Sequence, residues 1–178
     1  MVRPGPAGLA AATVAAERGH RVTLFEASGE IGGQFNVAKR IPGKEEFHET
    51  LRYFGRKLEQ TGVDVRLGTL AEVDTLRGFD EVVLATGIRP REVDFLGADH
   101  PKVVRYIDVL RGDVVAGRKV AIVGAGGIGF DVAEYLVEDG HSPSLDAARW
   151  RAQWGVDLGY VGNRGGLAPS QPGAPTPV

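Results

Sequence analysis

The sequence predicts an α/β fold, in which short buried strands alternate with helices and lead into them through glycine-rich turns. The predicted strands are apolar, β-branched runs, and they lie at 21–26, 63–67, 81–85 and 119–123. The predicted helices have small side chains or apolar residues at helical spacing, and they lie at 5–18, 44–60, 106–111 and 128–138. Strands that alternate with helices in this way pair in parallel.

Glycine marks the ends of the two longest predicted helices. Gly19 follows the first helix and Gly62 follows the helix at 44–60, at the position where a left-handed residue ends a helix. Residues 147–150 also look helical, whereas the tail at 167–178 has four Pro and no periodicity, so we expect it to be disordered.

Composition limits the classes of function. A chain of 178 residues fits one domain, or one domain with a piece of a second. The net charge of −2 and the lack of a basic run argue against a nucleic-acid partner. The absence of Cys excludes a disulfide framework, a thiolate metal site and a Cys-held iron–sulfur cluster within this sequence. No apolar run approaches the ~20 residues of a membrane span, so we expect no membrane association and a cytoplasmic location.

The segment after the strand at 119–123 is the most informative in the chain. This strand turns through a GxGxxG pattern directly into a helix, which is typical of dinucleotide binding. In that pattern the first glycine permits the turn, the second admits the pyrophosphate and the third lets helix and strand pack closely. The alternative is a turn used only for packing. The candidate binding residues are Gly124, Ala125, Gly126, Gly127, Ile128 and Gly129.

A second, incomplete copy of the pattern opens the chain. Arg3 stands where the first glycine belongs, and the rest of the copy consists of Gly5, Pro6, Ala7 and Gly8. Glu26 ends a strand about 20 residues later, where an acidic residue accepts hydrogen bonds from a ribose. A surface glutamate at the end of a strand is the simpler interpretation.

Other short segments complete the candidate sites. Gly33 and Gln34, in a glycine-rich loop, could turn backbone N–H groups toward a cofactor, and Ala85, Thr86 and Gly87 could let the chain pass under one. Each segment could equally be an ordinary turn. Four histidines lie at predicted surface and loop positions, so we predict no catalytic role for any of them: His20, His48, His100 and His141.

Three segments carry a family resemblance: GPAGLAAATVAAERGHRVTLFEASGEIGGQFNVAKRIPGKEEF, EVVLATG and KVAIVGAGGIGFDVAEYL. They resemble the C-terminal flavin region of the NADPH-dependent 2,4-dienoyl-CoA reductases, bacterial relatives of Old Yellow Enzyme and trimethylamine dehydrogenase. The similarity runs from Gly5 to about Gly166. It implies a Rossmann-like two-dinucleotide-binding flavoprotein fold, with an FAD-binding domain at 1–117 and a partial NAD(P)H-binding domain at 118–166.

The resemblance also implies an electron path. In this family electrons pass from NADPH to FAD, then through a 4Fe–4S cluster to FMN in an N-terminal barrel, where the acyl-CoA is reduced. Carried over by position, the resemblance implies that Gly5 to Gly8 lie along the FAD pyrophosphate and that Glu26 and Ala27 lie at its ribose. It also implies that Gly33 and Gln34 lie beside the ribose and that Ala85 to Gly87 lie near the flavin. Gly124 to Gly129 would then face NADPH. FMN, the cluster and the catalytic residues belong to the barrel domain or subunit, and NADH remains a possible donor.

Departures from the family leave alternatives open. The strand before Gly5 is reduced to Met1-Val2, although it is central in the strand order 3-2-1-4-5-6. Asp146 has suitable spacing to bind a ribose, but it lies between a loop and a helical stretch, so we reject it. We therefore expect a fragment, truncated at both ends. The alternatives are a nucleotide-binding or assembly module without turnover, or a non-functional remnant. A thioredoxin-reductase-like enzyme is disfavoured because the chain has no Cys pair.

Overall fold

Helices and strands alternate along the first half of the chain, and helices dominate the rest. The computed structural model describes residues 5–138, 140 and 142–159. In chain order its elements are α1 (Pro6–Glu17), β1 (Thr23–Phe25), α2 (Phe35–Ala38), α3 (Glu46–Thr61), β2 (Asp64–Arg66), α4 (Val73–Leu76), α5 (Tyr106–Arg111), α6 (Gly127–Val137), a 3₁₀ turn (Pro143–Leu145) and α7 (Ala147–Trp154).

Strands β1 and β2 form a parallel pair. Thr23 lies opposite Asp64, and Phe25 lies opposite Arg66. Parallel neighbours need a long crossover because a short hairpin would reverse the chain direction, and α3 is the main element of this crossover. The pair therefore forms the β-α-β unit that the alternating pattern predicts.

The core of this unit lies where α1 and α3 pack beside the strands. Its buried side chains come from both helices and from the strand region, and they are Leu9, Ala12, Leu24, Leu58 and Val63. Leu9, Ala12 and Leu24 are completely buried. The buried Thr13 hydroxyl donates to the Leu9 carbonyl at 3.0 Å, so this polar group does not oppose the packing.

Four predicted helices are confirmed, with small shifts at their ends. The helices α1, α3, α5 and α6 correspond to the segments predicted at 5–18, 44–60, 106–111 and 128–138. Gly62 ends α3 with φ 67°, in the left-handed region that favours glycine. The helical stretch at 147–150 belongs to the longer α7. The short helices α2 and α4 were not predicted, because four residues are too few to show a period.

The predicted strands at 81–85 and 119–123 are wrong. Leu84 makes an isolated bridge and is 73% exposed, and 119–123 forms no strand, with Val123 78% exposed. A strand exists only through hydrogen bonds to a neighbour, and the sheet among the described residues holds only β1 and β2. In the expected strand order, the neighbour of 81–85 would precede Gly5, and residues 1–4 lie outside the described part.

The chain divides into two compact units. The first contains residues 1–40 and 44–115, and the second contains residues 41–43 and 116–178. The predictions for Met1-Val2, Arg3, His141 and the tail at 167–178 concern residues outside the described ranges. None of the helices within those ranges is both long and apolar enough to cross a bilayer.

Replacing a fully buried core side chain should weaken the first unit strongly. We expect Leu24→Ala to lower the free energy of unfolding by about 2–5 kcal/mol, because it removes apolar contacts and leaves a cavity. Leu70→Ala is the matched control, since Leu70 is 65% exposed and should change little. Urea unfolding followed by circular dichroism measures both. Equal effects of the two substitutions would contradict the assigned core.

Candidate nucleotide-binding sites

Both predicted glycine turns lead into a helix in the same way. Gly5 is the N-cap of α1 with φ −67° and ψ −179°, and Gly126 is the N-cap of α6 with φ −87° and ψ −177°. Neither helix has a side chain that caps its first turn in the described part of the chain. Among the described residues, a Cβ atom at either glycine would meet nothing within 4 Å. The described part of the chain therefore leaves the first turns of α1 and α6 without a capping side chain.

The first turns of α1 and α6 also lack acidic residues. Other helices of the same chain differ: α3 carries Glu46 and Glu49 in its first turn, and α7 begins at the capping side chain of Asp146. Acidic groups at these positions complement the positive end of the helix dipole. At α1 and α6 this positive end is left for an external anion, and a diphosphate has the required charge.

The structure brings Gly33 against the start of α1. A Cβ atom at Gly33 would lie 3.0 Å from the Cα atom of Gly5, and Gly33 has φ 54°. At the preceding residue, Gly32, a Cβ atom would lie 2.6 Å from a methyl group of Leu51 on α3. Side chains at these two positions would force the loop away from Gly5 or from α3. The glycine pair therefore forms a close wall beside the N-terminus of α1.

Hydrogen bonds fix this glycine pair. The main-chain N–H groups of Phe35 and Asn36 donate to the carbonyls of Gly32 and Gly33 at 3.0 and 3.2 Å. The side-chain Nδ2 of Asn36 donates to the Ile31 carbonyl at 2.8 Å. Asn36 was not among the predicted site residues, because a single sequence does not distinguish an amide that bonds to the backbone from a solvated one. Its one local signal is its position two residues after Gln34.

Glu26 is buried at the carboxyl end of β1. Only 4% of the residue is exposed, so it is not the surface glutamate of the simpler interpretation. Its Oε1 accepts a hydrogen bond from the Ser28 N–H at 2.6 Å. Its main chain is held on both sides, since its N–H donates to the Arg66 carbonyl at 2.9 Å and its carbonyl accepts from the Thr69 N–H at 2.8 Å. Ligands of doubly wound sheets bind at this end of the strands.

The remaining candidates of the first unit lie at the surface. Ala7, Ala27 and Gln34 are exposed, and Gln34 is also the N-cap residue of α2. The segment from Ala85 to Gly87 follows Leu84 and belongs to no helix or strand; Ala85 is half-buried, Thr86 and Gly87 are exposed, and Gly87 has φ 67°. No group of three or more potential metal ligands occurs within the ranges that the structure describes.

The second site is the turn that leads into α6. Gly124 has φ 116°, and a Cβ atom at Gly129 would collide with the Gly124 carbonyl oxygen. The third glycine was predicted to let the helix pack closely on the preceding strand; the structure has no strand there, and Gly129 instead lies close to the turn at Gly124. The residues between these two glycines are exposed along the turn and the first turn of the helix: Ala125, Gly126, Gly127 and Ile128. The backbone of this turn is therefore accessible from solvent along the predicted glycine pattern.

The side chain of Asp146 caps the N-terminus of α7. Its carboxylate accepts hydrogen bonds from the N–H groups of Ala148 and Arg149 at 2.9 and 3.1 Å, and so it caps α7. The hydrogen bonds from Arg149 and then Ala148 lower the pKa of Asp146. This use of the carboxylate agrees with our rejection of Asp146 as a ribose-binding residue.

Comparisons with known proteins find a family whose matched region contains both glycine turns. A family model described as pyridine nucleotide-disulphide oxidoreductase matches residues 4–151. N,N-dimethylglycine/sarcosine dehydrogenase of Chromohalobacter salexigens is 40% identical over 150 residues, which cover 79% of this chain and 22% of that protein. NADH oxidase of Thermoanaerobacter brockii is 37% identical over 146 residues, with coverages of 79% and 22%.

The solved structure of a reductase is also similar to this chain. The complex of 2-naphthoyl-CoA reductase with 2-naphthoyl-CoA has a TM-score of 0.72 and 35% identity, covering 76% of this chain and 21% of that one. The chain therefore spans about a fifth of the length of these relatives. Members of the matched family bind FAD and NAD(P)H in general. Because the match at 4–151 includes both glycine turns, the chain belongs to the pyridine nucleotide-disulphide oxidoreductase family and has its Rossmann-like flavoprotein fold.

Proposed function

We propose that this chain is the electron-input module of a larger flavoenzyme, with FAD bound by residues 1–117 and NAD(P)H by residues 118–166. The observation that carries the proposal is the pair of helices, α1 and α6, that begin at a glycine and have neither a side-chain cap nor an acidic residue in the first turn. A bound nicotinamide supplies a hydride and a bound flavin accepts it, so the protein contributes binding and alignment rather than an acid or base.

On the FAD side, we propose that the segment from Gly5 to Gly8 lies along the diphosphate, with the main-chain N–H groups of Gly5, Ala7 and Gly8 as donors, and that Gly33 and Gln34 form its second wall. The Glu26 carboxylate accepts hydrogen bonds from ribose hydroxyls, and Ala27 lies next to it. The burial of Glu26 and the contact between Gly33 and Gly5 support these roles. Ala85, Thr86 and Gly87 are proposed to pass near the flavin ring.

On the nicotinamide side, we propose that the backbone from Gly124 to Gly129 binds the diphosphate of the donor. NADPH is the proposed donor, on the family resemblance of the sequence. NADH is the alternative, because one relative is an NADH oxidase and we identify no group for a 2′-phosphate among the residues that the structure describes. The two donors are distinguished by comparing their affinities for the same protein.

For the whole enzyme, we propose an acyl-CoA reductase similar to the NADPH-dependent 2,4-dienoyl-CoA reductases. The segment GGQFNVAKRIPGKEEF and the likeness to a 2-naphthoyl-CoA reductase support this substrate class. The sequence has no Cys, so an iron–sulfur cluster and FMN would be held by a barrel domain or subunit. A cytoplasmic location stays a prediction from the sequence.

The proposal is tested by adding FAD to the purified 178-residue chain and removing free ligand by gel filtration. One bound flavin per chain, with NADPH-dependent reduction of a dye, is the expected result. Binding of ADP without flavin absorbance would instead favour the non-catalytic nucleotide-binding module. A thermal melt without a cooperative transition would indicate the non-functional remnant.

Neutralising Glu26 should weaken FAD binding. We expect Glu26→Gln to lower FAD affinity roughly tenfold to a hundredfold, as for loss of hydrogen bonds to a charged group. The amide oxygen of the substituted side chain can still accept from Ser28, so the loop should keep its shape. Glu30→Gln removes the same charge from an exposed position nearby and should leave the affinity unchanged. Flavin fluorescence titration measures both, and equal effects would remove Glu26 from the site.

A methyl group at Gly129 should disturb the nicotinamide site. We expect Gly129→Ala to weaken NADPH binding about tenfold or more, because the added Cβ would push α6 away from the Gly124 carbonyl. Gly117→Ala is the control, since a Cβ atom there meets nothing within 4 Å and φ is not in the left-handed region. Calorimetric titration with NADPH gives both affinities. Unchanged binding to the Gly129 variant would contradict the assigned role of this turn.

A further inference from the structure

The side chain of Asn36 is hydrogen-bonded at both ends of its amide. It is half-buried at the second position of α2. Nδ2 donates to the Ile31 carbonyl at 2.8 Å, and Oδ1 accepts from Lys39 Nζ at 2.8 Å. Because the ammonium group can only donate, it fixes which end of the amide is the oxygen and turns the NH₂ group toward the loop.

These bonds clamp the glycine pair from both sides. The side chain of Asn36 holds the carbonyl of Ile31, just before the pair, and its main-chain N–H holds the carbonyl of Gly33 at 3.2 Å. On the side facing α3, Gly32 lies close to the side chain of Leu51. On the other side, Gly33 lies close to Gly5. Asn36 therefore bonds to the backbone on both sides of a glycine pair that lies between α3 and the N-terminus of α1.

We propose that Asn36 is a positioning residue for the diphosphate site of the first unit. It acts through Gly33, whose backbone it holds beside Gly5 so that the open N-terminus of α1 has the width that a diphosphate needs. This inference rests on the proposed function, because it assumes that the site binds the ADP part of FAD.

A purely structural role for Asn36 makes a different prediction. If its amide only stabilised α2 and the loop, its loss would weaken every ligand of the first unit to the same extent. A positioning role restricts the loss to ligands with a diphosphate, since an adenosine monophosphate depends on Glu26 but not on the spacing between Gly33 and Gly5. The ratio of ADP to AMP affinity therefore separates the two roles.

Asn36→Asp tests the donor with almost no change in size, and the negative charge that it adds lies beside the Lys39 ammonium group, which offsets it. The carboxylate cannot donate to the Ile31 carbonyl, although it can still accept from Lys39. We expect affinities for ADP and FAD to fall about tenfold, and that for AMP to stay within about twofold of its original value. Thr61→Val is the matched control, because Thr61 also donates from a part-buried side chain to a carbonyl, that of Lys57 at 2.7 Å, and should leave all three affinities unchanged.

Lys39→Met keeps the test informative if Asn36→Asp does not fold. It retains the NH₂ group of Asn36 but removes the partner that orients the amide. We expect a smaller loss, about two- to threefold for ADP and none for AMP. Calorimetric titrations and thermal melts of all the variants provide the data.

The outcomes separate this inference from the function on which it rests. A selective loss of ADP and FAD affinity supports the inference. Equal losses of ADP and AMP affinity overturn it, and so does an unchanged ADP affinity in both Asn36→Asp and Lys39→Met. Both outcomes leave the proposed nucleotide site intact. If the unmodified chain binds neither FAD nor ADP, the proposed function fails, and the positioning role of Asn36 is overturned with it.

Discussion

The packing of α1 against β1 and α3 determines where the first glycine turn lies. Leu9 and Leu24 are completely buried in this contact, and Gly8 is buried directly before Leu9. The Leu9 N–H donates to the Gly5 carbonyl at 3.0 Å, so the hydrogen bonds of α1 begin at the glycine turn. A buried side chain has little freedom to shift without leaving a void. The packing of the core therefore fixes the position of the N-terminus of α1.

The candidate sites are built from main-chain groups rather than from a constellation of reactive side chains. Glu26 is the only buried charged residue among those described, and every buried side-chain polar atom in the same part has a partner. Under the proposed function such a surface binds and orients a nucleotide, and the described residues present no evident nucleophile there. This matches a family whose redox chemistry is carried by its cofactors. Because the sequence has no Cys, the thiol chemistry in the family's name does not come from this chain.

Local features were predictable from the sequence, and features set by distant contacts were not. The helices α1, α3, α5 and α6 were found because periodicity and the glycines that end helices are local signals. The segments at 81–85 and 119–123 have the composition of strands, but strand formation depends on a neighbour that composition cannot supply. Likewise, glycine spacing identified both turns, whereas the contact of Gly33 with Gly5 and the clamp by Asn36 arise only when the loop folds back onto α1.

A site made of backbone groups places unusual demands on the residues around it. Main-chain N–H groups are present at every position except proline, so their presence does not distinguish a binding site from any other turn. What distinguishes the site is its shape, which depends on the residues that lack a Cβ atom and on the side chains that hold the loop in place. At α6, Gly129 provides that shape from within the same turn, through its contact with the Gly124 carbonyl. At α1 the shape depends on a separate loop, so a side chain such as Asn36 is needed to hold it. Under the proposed function, the affinity of the first site therefore depends on residues outside its glycine motif.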